Sequence, residues 1–421
     1  MRKTPFTLLL GTLALPALAI DQAHRERAHD MIARACADLV ANQHPSGGWS
    51  IPDDPNAPVL PAITALAVNA LALHPADDDH EANAARADAL ARGTRYLLDH
   101  AQPDGGIYFD MLPSYNSAIC VSALVHARDL PGDLPGAPDA EIDDAIDSAL
   151  AFMRTLQWGQ DARLPNPDGS PSAGDTVRVV APDHPFYGGV GYGRHGRPDN
   201  SNLNFVTQAF HDAGVDRDDP VFQRALVFLQ RTQMHEAVND APYAEGSTQG
   251  GFIYATAESG DEPGVGQSQA GTIEETLDDG TRVSRLRAYG SMTYAAFKTM
   301  IYAGLSPDDE RVRLALGWIE RNYTLDENPG IGTEGQYYYY LMFARALEAA
   351  GFETIEAEPS VTESGATTTH DWANDLIDAL ADLQNPDGSF RSVDQRWLEN
   401  NPVLITAYAT IALEHAAGRV D

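Results

Sequence analysis

Residues 41–49 read ANQHPSGGW, residues 100–109 read HAQPDGGIYF, and residues 383–390 read LQNPDGSF. In each, a Gln or Asn tag closes a helix-like stretch, a glycine turn follows, and an aromatic side chain comes directly after it. A fourth turn, GGFIY at Gly250 to Tyr254, has the same form. A recurring unit of this size decides the architecture before any single residue does, because one copy cannot bury its apolar face alone.

Working outward from the turns, the segments that follow them overlay on one another. They are TALAVNAL (Thr64 to Leu71), SAICVSAL (Ser117 to Leu124), LNFVTQAF (Leu203 to Phe210), TYAAFKTM (Thr293 to Met300), YLMFARAL (Tyr340 to Leu347) and TAYATIAL (Thr406 to Leu413). These are apolar nearly all round, which predicts burial on most faces. The segments that precede the turns, such as EIDDAIDSALAFMRTLQ (141–157) and DPVFQRALVFLQRTQ (219–233), carry one charged side and belong on an outer surface. Six outer and six inner helices in alternation predict an all-α fold, an (α/α)6 toroid of six helical hairpins. Residues 20–421 are read as one toroid domain, since no linker splits the repeats. Two long loops, 158–198 and 234–287, interrupt the rhythm at one end of the ring. Their alternating stretches, Phe252 to Tyr254 and Thr281 to Leu286, suggest short β-hairpins. Loops this long in a compact domain are usually functional or disordered, and their Gly and Tyr content fits ordered lids.

Residues 1–19 read as an export signal: Arg2 and Lys3, then the apolar run FTLLLGTLAL, then Ala17-Leu18-Ala19 as a cleavage site. The apolar run is too short for a permanent membrane span, and no transmembrane segment is expected elsewhere. The expected location is periplasmic or secreted. The formal net charge is −33, and Lys3 and Lys298 are the chain's two lysines. Such a surface repels nucleic acid phosphates, which excludes a general nucleic-acid role. Cys36 and Cys120 fall inside helices and are expected to be separate buried thiols, although export permits a disulfide. Oligomeric state is not readable from the chain.

The units resemble the prenyltransferase and squalene-cyclase repeat: a helix ending in Gln, a Gly-Gly or Gly-Ser aromatic turn, then a small-residue helix. The resemblance covers roughly residues 24–417 and rests on the NQHPSGGW, QPDGGIYF and QNPDGSF elements, while the third and fifth units are degenerate. It implies the α/α toroid superfamily of terpenoid cyclases and protein prenyltransferase β subunits, whose central cavity takes isoprenoid chains. The family's catalytic motifs do not transfer convincingly. Asp216-Arg217-Asp218-Asp219 has the spacing of the DxDD motif with which type II terpene cyclases protonate an alkene, but it stands at the entry to an outer helix. Ser306-Pro307-Asp308-Asp309 holds the equivalent place one unit later, and acids at a helix start are ordinary caps. The zinc of protein prenyltransferases calls for Asp, Cys and His ligands. Neither cysteine stands beside an Asp in that pattern, and His184, His195, His211 and His370 lack ligand spacing, so no metal site and no cofactor is expected.

The candidate site lies where all six inner helices begin, because their N-terminal dipole ends favour anions. Arginines gather there against the overall charge: Arg194 and Arg197, then Arg282, Arg285 and Arg287, then Arg391 and Arg396. Candidate ligand contacts are Tyr115, Arg197, Asn200, Arg285, Arg287, Tyr289, Tyr294, Tyr337, Tyr338 and Trp397. Of the run Tyr337 to Tyr340, one or two rings are expected to line the pocket, since on a helix they point in different directions. Asp199, Glu334 and Glu399 are candidate acid/base groups, with plain helix capping as the competing role. Trp49, Phe252 and Phe390 are read as packing braces. Three function classes follow. The first is a cyclase-like toroid that binds, and in the enzymatic case transforms, an isoprenoid-like ligand. The second is a carbohydrate-active (α/α)6 hydrolase or lyase, and the third a non-catalytic binding or scaffold protein. The expected partner is correspondingly a small-molecule, lipid or glycan ligand.

Overall fold

The structure, a computed structural model, describes residues 20–51, 57–74, 80–132, 134–159, 179–193, 196–258, 264–277, 279–358 and 366–418. The leader read at residues 1–19, much of the first long loop, and Arg194 and His195 lie outside the described residues. Among the described residues the chain forms twelve α-helices. The outer helices are α1 (Gln22–Ala41), α3 (His80–Leu98), α5 (Asp139–Leu156), α7 (Pro220–Thr232), α9 (Glu310–Arg321) and α11 (Trp372–Ala381). The inner ones are α2 (Pro61–Leu73), α4 (Pro113–Arg128), α6 (Asn200–Asp212), α8 (Gly290–Tyr302), α10 (Gln336–Ala349) and α12 (Pro402–Ala417). Each inner helix packs on the next around the ring, and α12 returns to α2, which closes the toroid.

The repeated residues explain why the ring holds together. In four units the turn Gln uses its amide nitrogen to staple two segments of the chain at once. Gln43 donates to Gly47 O in its own turn (2.7 Å) and to Ala89 O in α3 of the next unit (2.9 Å). Gln233 does the same to Gly250 O (2.8 Å) and Arg311 O in α9 (2.9 Å). Gln384 reaches Gly388 O (3.1 Å) and Met31 O in α1 (2.8 Å), so the last unit is tied to the first. The third unit, degenerate in sequence, has a hidden copy of the turn at Gly188-Gly189-Val190, with Gln157 donating to Gly188 O (3.0 Å) and Val221 O (2.9 Å). Glycine is required there twice over. Gly188 has a φ of +83°, and a Cβ would sit 1.8 Å from Arg224 O in α7. Gly388 repeats this with φ +95° and a distance of 2.1 Å to Arg34 O.

The residue after the turn is then pinned to the inner helix. Trp49 N–H donates to Thr64 Oγ1 (3.0 Å), Ile107 N–H to Ser117 Oγ (2.9 Å), Phe252 N–H to Thr293 Oγ1 (3.1 Å) and Phe390 N–H to Thr406 Oγ1 (3.3 Å). Those acceptors are the first residues of four of the six matched inner stretches. A buried backbone donor left alone would cost about 1–3 kcal/mol, so the hydroxyl position is under strong constraint. Trp49, Phe252 and Phe390 are buried in the packing layer.

Two antiparallel hairpins complete the fold. β1 (Thr272–Thr276) pairs with β2 (Arg282–Leu286) inside the second long loop. β3 (Thr354–Ala357) pairs with β4 (Thr368–Asp371) in the connection from α10 to α11, so one connection at the far end is longer than the short ones expected there. Cys36 and Cys120 are both buried, and no disulfide joins them. No helix among the described residues is long and apolar enough to cross a membrane.

The acids of the 216–219 segment act locally. Asp216 accepts Asp218 N–H (2.8 Å), while Asp219 caps α7 through Val221 N–H (2.9 Å) and grips Arg154 through two bonds of 2.7 and 2.8 Å. Asp309 caps α9 in the same manner. At this end of the ring, polar side chains also cross-link the inner helices: buried Lys298 donates to Gln208, Thr207 meets Thr299 (3.0 Å), and His126 meets Asn69 (2.8 Å).

Candidate functional site

At the end where the inner helices begin, a cavity of about 580 Å³, its open mouth included, is framed by five of them and by the connections above. α4 supplies Tyr115, α6 Ser201, α8 Ser291 and Met292, α10 Tyr338 and α12 Tyr408. Tyr289 stands just before α8, and Tyr192, Tyr254, Gln269, Trp397 and Glu399 come from the long connections. Six tyrosines and a tryptophan therefore surround a single carboxyl group. Phe205 backs the wall, with its ring 4.8 Å from Tyr115 and 5.9 Å from Tyr338. The hydroxyls are paired off: Tyr192 with Tyr254 (2.9 Å) and Ser201 with Tyr338 (3.2 Å). Burial raises the phenol pKa of all six tyrosines, so these rings stay neutral.

Glu399 is the one carboxyl group in the cavity lining. A short 3-10 turn, Arg396–Leu398, delivers it to the start of α10, a helix whose first N–H groups have no partner of their own. Its Oε1 accepts Tyr338 N–H (2.9 Å) and its Oε2 accepts Tyr337 N–H (3.3 Å). Burial nevertheless dominates: only 1% of the side chain is exposed, and its pKa is pushed up to about 7 against the pull of the helix N–H groups. Near neutrality this carboxyl therefore exists in both protonation states while facing the cavity.

Asp199 lies behind the wall. It caps its own helix α6, accepting Asn202 N–H (2.9 Å) and the Asn202 amide (3.0 and 3.1 Å). It is fully buried, and burial pushes it up to about 6, opposed by Asn202, by Arg197 and by the Tyr254 hydroxyl. Arg197 spans the same region, 3.9 Å from Asp199, with its guanidinium 5.0 Å from the centre of the Tyr254 ring. Asn200 ties the loop to the ring by donating to Thr232 Oγ1 (2.9 Å) and Ile253 O (2.8 Å).

The rim is latched by an arginine, Arg396. It pairs with Glu334, donates to Gln269 Oε1 (2.8 Å) and lies 4.3 Å over the Trp397 ring, so it joins three connections at once.

Of the candidates named from sequence, Tyr115, Tyr289, Tyr338, Trp397 and Glu399 meet around the one cavity. The others are placed elsewhere, for physical reasons. Glu334 stays on the rim because Arg396 draws it outward. Arg285 bonds the Glu245 carbonyl (2.6 Å) on the loop surface, and Arg287 borders a separate groove with Gln249 and Glu275, so the rim arginine does not come from residues 282–287. Tyr294 is packed among Tyr339 and Phe343 between α8 and α10. Tyr337 packs on Phe390 and gives its hydroxyl to Arg391 O (2.6 Å). Sequence reading missed Tyr192, Tyr254, Tyr408 and Gln269. Tyr254 had a visible signal, since it ends a repeat turn one residue beyond the packing positions, and Tyr192 follows the hidden third turn.

No protein-family model matches the chain, and no curated protein matches it. Solved structures do. A family 76 glycoside hydrolase from a bovine Bacteroides thetaiotaomicron strain superposes with a TM-score of 0.51 at 9% identity, over 93% of this chain and 78% of that one. Type II terpene cyclase MstE from Scytonema, in complex with merosterolic acid A, gives a TM-score of 0.49 at 14% identity, over 94% of this chain and 98% of that one. The same cyclase with geranylgeranyl dihydroxybenzoate gives 0.47 at 15% identity, with the same coverage. At these identities the likeness concerns the toroid fold.

Proposed function

We propose that the protein binds an isoprenoid-like molecule in the cavity at the start of the inner helices, as a cyclase-like toroid in which Glu399 donates or withdraws a proton. The toroid hosts both terpene cyclases and glycosidases, so fold does not choose between them, and the pocket must. The observation that carries the reading is one titrating carboxyl inside a wall of neutral aromatic rings. Such a wall suits an apolar chain, and its ring faces attract any positive charge that develops on it. Most glycoside hydrolases need two carboxyl groups flanking the scissile bond. Here the other buried acid at this end of the ring, Asp199, is outside the lining and committed to its own helix cap. Export through the leader at residues 1–19 belongs to the same proposal.

The test is native mass spectrometry of the protein purified from its own host, paired with farnesol titration read by tryptophan fluorescence. The expected results are a retained isoprenoid mass and saturable quenching of Trp397, with quenching lost in Trp397→Phe. A retained oligosaccharide with no response to farnesol refutes the reading in favour of the glycan class.

A further inference from the structure

Outside residues 1–19 the chain has a single lysine, Lys298, although its lysines and arginines together number 28. Everywhere else positive charge comes from arginine, whose guanidinium keeps its proton in any protein setting. A lysine differs in one respect that matters inside a protein. Burial readily strips its proton, and the neutral amine is a nucleophile. Lys298 is completely buried. Its amine donates to Gln208 Oε1, lies 5.4 Å from the centre of the Tyr302 ring, and forms no ion pair with a carboxylate among the described residues. Asp212 is close by, but it is engaged by the Gln208 amide (2.7 Å). Burial, reinforced by the Arg345 guanidinium and opposed by Asp212, holds the amine well below the usual lysine range.

Helix register places this amine beneath the cavity. Tyr115, Ser201, Ser291 and Tyr338 line the cavity, and seven residues after each come Ser122, Gln208, Lys298 and Arg345, all buried. Seven residues make two helical turns, so the second set lies on the same helix faces about 10 Å deeper in the ring. Helical side chains lean toward the N-terminus, which here means toward the cavity. Between the two layers, on the same face of α6, stands Asn204. It is 1% exposed, and neither atom of its side-chain amide has a hydrogen-bond partner among the described residues. A buried amide left unpaired is costly and calls for a polar group that the folded chain does not supply.

We propose that Lys298 is a reactive amine under the floor of the cavity, which condenses with the aldehyde end of an isoprenoid-like ligand while Asn204 donates to the carbonyl oxygen. The proposal rests on the isoprenoid reading for the apolar chain that carries the aldehyde. Nζ attacks the carbonyl carbon, a C–N bond forms, and the carbonyl π pair moves to oxygen, which takes one N–H proton. The hydroxyl then leaves with the second N–H proton as one water, and a neutral imine remains. No oxidant or reductant takes part. Arginine could not do this, which accounts for a lysine at this one position in a chain that otherwise uses arginine.

The experiment is incubation of the mature full-length chain with farnesal and sodium cyanoborohydride, followed by intact mass measurement and peptide mapping. In that chain the N-terminus is the one primary amine besides Lys298, so it serves as the internal reference. One farnesyl group is expected on the Lys298 peptide, formed about tenfold or more faster than on the N-terminal amine, because the cavity holds the aldehyde against Nζ. Excess farnesol is expected to suppress the Lys298 adduct and to leave the N-terminal one unchanged. An adduct confined to the N-terminus, or labelling of Lys298 that excess farnesol does not slow, would overturn the proposal. Farnesol quenching of Trp397 involves no aldehyde, so the cavity reading stands or falls on that separate measurement.

Discussion

Replacing Glu399 by Gln isolates the one titration on which the proposed chemistry depends. In the folded chain this carboxyl titrates at about 7, against an ordinary value of 4.5. Because the folded protein holds the proton more tightly than the unfolded chain, its contribution to stability is fully present below pH 4.5 and is lost as pH rises through 7. The whole shift corresponds to about 3 kcal/mol, and about 2 kcal/mol of it falls between pH 5.5 and 8.5, a range clear of the isoelectric region near 4.5. A chain of about 400 residues loses on the order of 0.8 kcal/mol of stability per degree near its midpoint, so the effect amounts to about 2–3 °C. Gln presents an amide to one of the α10 N–H groups, which lowers stability equally at every pH and leaves the slope untouched. Asp199, raised to about 6 by burial, titrates in both proteins and cancels from the difference. The measurement is the melting temperature of Glu399→Gln minus that of the wild type, followed by scanning fluorimetry across that range. This difference is expected to rise by about 2–3 °C from pH 5.5 to 8.5. A constant difference would mean that the helix N–H groups outweigh burial. Glu399 would then be ionised throughout and unable to carry a proton near neutrality.

Two further outcomes are expected. Gln384→Leu removes the staple between the last and first units and leaves the Met31 and Gly388 carbonyls without this donor, which costs about 2–4 kcal/mol and lowers the melting temperature by about 3–5 °C; a shift under about 1 °C would show that the closure does not depend on it. The exported protein is expected to begin at Ile20 on N-terminal sequencing, and an intact Met1 on the secreted or periplasmic form would refute cleavage after Ala19.

The ring was readable because its logic is local and repeated. Gln43, Gln233 and Gln384 do one job, and so do Thr64, Thr293 and Thr406. A job done by backbone bonds leaves the same residue at the same offset each time. The turn of the third unit is hidden in the sequence because the long insertion separates Gln157 from Gly188, although their bond is unchanged. Much of the site had no such regularity. Tyr337 and Tyr338 are neighbours in sequence, yet one faces Phe390 in the packing layer and the other faces the cavity, a difference set by the direction in which α10 enters the ring.

The three carboxylates show most clearly where sequence stops informing. Asp199, Glu334 and Glu399 all stand within a few residues of an inner helix, and each was open to reading as a cap or as a catalytic group. Asp199 resolves locally, because Asn202 three residues on completes an ordinary helix cap. Glu334 is decided by Arg396, sixty-two residues away, which holds it on the rim. Glu399 is the instructive case. Its own helix α12 is already capped by Asn401, whose side chain accepts Val403 N–H and Leu404 N–H. Glu399 is thus free to serve the start of the neighbouring helix α10, and that places it between a helix end and the cavity. Two opposed forces meet on it as a result: helix N–H groups that favour the charge and burial that disfavours it. A surface carboxylate would stay ionised near neutrality, and one buried without the helix would stay protonated. Only their combination leaves a carboxyl that exchanges its proton in that range, and the combination exists only once the fifth and sixth units are side by side.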